Sequence, residues 1–106
     1  MKKTFFLIIL QLLVSSAFAV TVMGNRSCGN WIEGRQTGGI SDVAASAWLV
    51  GYLSGLAVES NKDILASADG PSLFLWMDKY CRENALDRLE KAGYILSIEL
   101  AGKIRK

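Results

Sequence analysis

The stretch AWLVGYLSGLAV, Ala47 to Val58, carries no charge, two glycines four residues apart and two aromatics. Trp48, Tyr52 and Leu56 recur at steps of four, as do Leu49 and Leu53, which is a helical period and not that of a strand. The helix is either a membrane span or the middle of a small core. Its uncharged run between Asp42 and Glu59 is only sixteen residues long and is interrupted by Ser46, Ser54 and Tyr52, whereas a bilayer asks for about 20 apolar residues. A core helix from about Asp42 to Glu59 is therefore expected, apolar around most of its circumference and so buried on several sides. Ala47, Gly51 and Gly55 form a strip without bulk. Glycine inside a helix costs about 1 kcal/mol relative to alanine, so this strip is expected to admit another backbone at close range.

Upstream, Ser27 is a natural N-cap for a short helix CGNWIEGRQ that sets Cys28 and Trp31 one turn apart. VTVMGNRS before it reads as a mobile lead-in. Gly38 and Gly39 end this helix, and Ser41 or Asp42 caps the next. Downstream, Asn61 to Asp63 start one turn of helix that returns Ile64 and Leu65 to the core. DGPS then punctuates, with Asp69 or Gly70 as cap and Pro71 in a first turn that does not need its missing donor. In PSLFLWMDKYCREN the core face is Leu73, Trp76, Met77, Tyr80 and Cys81, with Asp78, Lys79, Arg82 and Glu83 mostly outside. A last amphipathic helix, ALDRLEKAGYILSIELAGK, carries Leu86, Leu89, Gly93, Leu96 and Leu100 as its stripe, with Asp87–Lys91 and Glu99–Lys103 spaced for exposed ion pairs. Period-two alternation never persists. The fold class is all-α, a compact bundle of four or five short helices.

The chain opens with MKKTFFLIILQLLVSSAFA, two lysines before an uncharged run and Ala17-Phe18-Ala19 where a signal peptidase needs small residues. Residues 1–19 are expected to be an export signal cleaved after Ala19, leaving one domain, 20–106, in the periplasm with no stable membrane span. Lys2 and Lys3 account for the whole formal charge of +2, so the exported part is neutral and shows no basic stripe for nucleic acid. Cys28 and Cys81 are the only cysteines. An even count in an oxidising compartment is read as a disulfide, which suits a domain small enough to need a staple.

There is no histidine, which removes the commonest general base, the commonest zinc ligand and any Ser-His or Cys-His nucleophile. The carboxylates sit on polar faces beside Lys or Arg, and paired-carboxylate hydrolysis would need two of them in one cleft; Asp78 and Glu83 point to different sides of their helix. No catalytic, cofactor-binding or metal-binding residue is assigned. Of the aromatics, Trp31, Trp48, Trp76, Tyr52 and Tyr80 fall on expected buried faces. Tyr94 lies off the leucine stripe and is the best candidate for contact with a partner.

The export signal, CGNW soon after it, WLVGYLSGL, WMDKYCREN and the final amphipathic helix together resemble the Tai/Rap group of immunity proteins, which protect bacteria from type VI secretion toxins and share a general plan with HdeA-like periplasmic proteins. Cys28 and Cys81 match that family's paired cysteines, Trp48, Gly51 and Tyr52 its W..GY helix, and Tyr80 its tyrosine before the second cysteine. Where such proteins often carry a proline after this region, Ala85 follows Asn84, which weakens the expected helix break. The resemblance implies a protein that neutralises a cognate protein toxin by direct binding, alone or as a homodimer. It transfers no toxin-binding residue. An HdeA-like acid-stress chaperone is the alternative, sensing acid through its ten carboxylates.

Overall fold

The computed structural model describes residues 20–104, so the export signal over 1–19 lies outside the described residues. Four helices form a compact all-α globule: α1 (Cys28–Thr37), α2 (Gly39–Ser60), α3 (Gly70–Glu83) and α4 (Leu89–Gly102), with no strand among the described residues. α1 lies against α2 and α3, α4 lies against the same two helices, and α1 and α4 also touch. The core between them holds Trp31, Leu49, Leu53, Met77, Leu89, Leu96 and the Cys28–Cys81 disulfide, all at most 2% exposed. Among the described residues this core draws on the span from Cys28 to Leu100.

Local chemistry sets most of the boundaries. The Ser27 hydroxyl accepts the Asn30 N–H at 3.1 Å and donates to the Asn30 side chain at 2.9 Å, opening α1. Gly38 and Gly39 both take positive φ, 71° and 76°, which lets the chain reverse between two helices with no intervening loop. As a result α2 starts three residues before Asp42. Its N-cap is Gly38, and neither Ser41 nor Asp42 caps it; Asp42 sits inside the first turn, 3.7 Å from Arg35. Asn61 ends α2 in the left-handed region, and Lys62 N–H reaches back to Ala57 O at 3.2 Å. That closure replaces the helical turn expected at Asn61–Asp63 by simple turns, yet Ile64 is still delivered to the core at 5% exposure. Asp69 caps α3 by accepting the Ser72 N–H at 2.8 Å, with Pro71 in the first turn. α3 stops at Glu83 without a proline, because the Asn84 side chain takes over the Tyr80 carbonyl at 3.0 Å.

Several expectations are corrected. α2 buries one stripe, Ala45, Leu49 and Leu53, and not several sides. The Ala47–Gly51–Gly55 strip faces outward, and a Cβ on Gly51 or Gly55 would meet nothing within 4 Å. A helical glycine that does admit a close neighbour is Gly93 on α4, where a Cβ would lie 3.0 Å from the Tyr52 ring. Trp48 and Tyr52 are only half-buried and stack on each other at 5.0 Å; Trp76 and Tyr80 do the same at 5.4 Å. Leu86 is 96% exposed, because α4 begins only at Leu89. The lead-in is held rather than loose: Trp48 Nε1 donates to Met23 O at 2.7 Å, Leu89 N–H to Arg26 O at 2.7 Å, and Cys28 N–H to Asp87 O at 2.7 Å. Gly24 permits this seat, since a side chain there would come within 2.7 Å of the indole.

Candidate protein-docking surface

Asp78, expected outside, is 8% exposed. Its Oδ1 accepts the Trp31 indole N–H at 2.7 Å and Arg35 Nε at 3.0 Å, and its Oδ2 accepts Arg35 Nη2 at 3.1 Å. The Asp78 hydrogen bonds hold the Arg35 guanidinium above its ordinary pKa against the opposing effect of burial, and the cation lies over the Trp31 and Phe74 rings at 5.9 and 5.8 Å. This clamp ties α1 to α3, with α2 joined through Asp42. Both oxygens of Asp78 are occupied by the protein's own donors, so the most buried carboxylate is spent on structure. Tyr80 is likewise committed: burial, and then its 2.5 Å hydrogen bond to Asp87, push its hydroxyl up to about 12. Among the described residues no group of three His, Cys, Asp or Glu could hold a metal ion.

The surface available to a partner is built on α4. Its inner positions, Leu89, Ala92, Gly93 and Leu96, are buried. Its start is fixed by backbone bonds to the lead-in, including Glu90 N–H to the Asn25 side chain at 3.1 Å. With that face seated, Tyr94 and Ile98, one turn apart, stand outward at 54% and 57% exposure. Ser97 between them is buried, and its hydroxyl donates to Tyr94 O at 2.6 Å, leaving no unmet polar group. On one side of α4 a shallow groove of about 190 Å³ runs against the end of α2, lined by Leu56, Glu59, Lys62, Tyr94 and Ile98. On the other, a cleft of about 630 Å³ opens between α4, α3 and the 61–69 turns, floored by Leu73, Trp76, Leu96 and Leu100 and rimmed by Asp63, Glu99 and Lys103. Ile64 forms part of both walls.

No family model, curated protein or solved structure matches this chain.

Of the residues singled out in the sequence, Cys28 and Cys81 are joined in the core, their Cα atoms 4.7 Å apart, while Tyr94 lies on the rim of the smaller groove. Sequence reasoning misses Ile98 and the Trp76 cleft. Ile98 does carry a signal, since it follows Tyr94 by four and shares its side of the helix. The cleft carries none, because its walls come from three separate parts of the chain.

Proposed function

We propose that this chain is an exported protein-binding protein that acts in the periplasm as an immunity protein, docking on a cognate secreted toxin and neutralising it. The observation that supports the reading is the Tyr94–Ile98 pair, a large amphipathic aromatic and an aliphatic held outward on a seated helix between two apolar grooves. Rigidity supports it as well, because a stapled surface loses little freedom on binding. No enzymatic role is proposed.

The test is an affinity capture with oxidised residues 20–106 as bait, from periplasmic and secreted fractions of the host, at pH 7 and near pH 3. One dominant partner at pH 7, retained by the wild type and lost with Tyr94→Asp, supports the immunity reading. The exposed apolar residues Ile40, Val43 and Val58 of α2 favour a second reading, an acid-stress chaperone, because they offer unfolded clients an apolar surface. Many partners held only at pH 3 would replace the first reading by the second.

A further inference from the structure

α2 is 22 residues long and apolar enough to cross a membrane, yet the fold buries only Ala45, Leu49 and Leu53 of it. Successive residues turn by about 100°, which sets Ile40, Val43, Ala47, Gly51, Ser54 and Val58 on the side opposite that stripe. Ile40 is 88%, Val43 68% and Val58 82% exposed. The Ser54 hydroxyl is spent on Val50 O at 2.7 Å, so this face offers water no free polar side chain. The acids at its two ends both lie off it. Asp42, in the first turn, is on the inward side, 3.7 Å from Arg35. Glu59 stands on the flank, about 100° round from Val58, in the groove shared with Leu56 and Tyr94. Between the two acids run sixteen residues without charge. A helix at a protein surface ordinarily shows solvent a polar face, and a continuous exposed apolar patch marks a contact surface.

We propose that this face rests on a phospholipid bilayer, with α2 in the plane of the headgroups and Ile40, Val43, Ala47 and Val58 turned into the acyl boundary. Charge at both ends of the helix suits lipid phosphate. The Arg26 guanidinium donates to Ser41 O at 3.4 Å at the start of α2, and Lys62 is exposed just past its end. Cations thus bracket the uncharged strip, as snorkelling side chains do at an interface. The flank supplies interfacial aromatics, because Trp48 and Tyr52 stack half-buried beside the face. The chain also enters the fold here. Trp48 Nε1 holds Met23 O, and no charge occurs between Lys3 and Arg26, so an uncharged run of sequence joins the fold at the edge of this face. The helix lies on the bilayer and does not cross it, since Leu49 and Leu53 belong to the core and would have to leave it. Binding is weak and reversible. Ile40, Val43, Val50 and Val58 together present about thirteen side-chain carbons, close to those of a single myristoyl chain, whose membrane affinity is on the order of 10⁴ M⁻¹. The inference does not rest on the toxin reading, since it uses neither Tyr94 nor Ile98.

Oxidised residues 20–106 are expected to float with phosphatidylcholine vesicles in a density gradient, most of the protein being bound at about 1 mM lipid. Two substitutions at one open position should move this binding in opposite directions. A Cβ on Gly51 meets nothing within 4 Å, so neither change disturbs the fold and the far-ultraviolet spectrum stays as it is. Gly51→Glu should weaken binding by about tenfold or more, because a charge placed in the contact loses its water. Gly51→Leu should strengthen it severalfold by adding apolar area to the same face. Orientation is read with an environment-sensitive fluorophore on an introduced thiol. Its emission should shift to the blue with vesicles at Gly51→Cys and stay unchanged at Leu75→Cys, on the exposed side of α3. Protein that does not float, or that floats equally well with Gly51→Glu, would overturn the proposal. So would capture of a reduced, unfolded protein through this face with no vesicle bound, which would make unfolded clients the occupant.

Discussion

Asp78→Ala removes three hydrogen bonds at once, and the structure sets how much each loss costs. The Trp31 indole is 1% exposed, so its N–H would lie buried without an acceptor, a penalty of about 2 kcal/mol. The Arg35 side chain is 29% exposed and can turn part of its guanidinium to water, which holds its share to about 1 kcal/mol. The sum, about 3 kcal/mol, sits at the low end of what breaking a buried pair costs. For a domain of this size that is a fall in melting temperature of about 12–24 °C. Urea unfolding followed by tryptophan fluorescence reads it directly, with Asp63→Ala on the exposed turn as a variant expected to stay within about 0.5 kcal/mol of wild type. Arg35→Met should destabilise too, and the double variant should cost clearly less than the two singles together, because the partners are coupled. A loss below about 1 kcal/mol for Asp78→Ala, or strict additivity in the cycle, would refute the clamp.

Three further outcomes are expected. Reducing the Cys28–Cys81 bond, which spans 53 residues, should lower stability by about 4 kcal/mol, measured as a shift in the urea midpoint with and without reductant. Gly93→Val should destabilise by about 2 kcal/mol in thermal unfolding, since its Cβ would press on the Tyr52 ring at 3.0 Å, whereas Gly55→Ala, with open space around it, should stabilise the monomer by up to about 1 kcal/mol. Tyr80, raised in the folded state to about 12, keeps its proton where the unfolded chain loses it. Its contribution is therefore fully present below pH 10 and is lost as pH rises from 10 toward 12. Unfolding measured from pH 9 to 12 should show this loss in the wild type and a flatter profile in Tyr80→Phe.

Features that one helix writes for itself are legible in the amino-acid order alone. Ser27, Asp69 and Pro71 act on their own first turns, and the core face of α3 repeats within a single element. What escapes such reading depends on groups brought together from a distance. Asp78 reads as surface until Trp31 and Arg35, more than forty residues away, are seen to converge on it. The uncharged pattern of α2 argues for burial on several sides, but hydropathy reports only what a face would prefer to meet, and three helices are too few to surround it. Tyr94 is visible because it departs from a stripe; its cleft-lining neighbours are not, because no local period marks a wall shared by three segments.

The pairing of Arg26 and Cys28 with Asp87 and Leu89, set beside the Cys28–Cys81 bond, fixes the order in which the molecule can be completed. As the chain is synthesised from its N-terminus, α1 and α2 emerge first, but the acceptor and donor groups that seat their leading segment arrive some sixty residues later. Cys28 meets its partner sulfur only when α3 is made, and Leu49 and Leu53 lack part of their cover until α4 follows. The first residues of the fold are thus seated by its last helix, and the molecule closes on itself only when both ends are present.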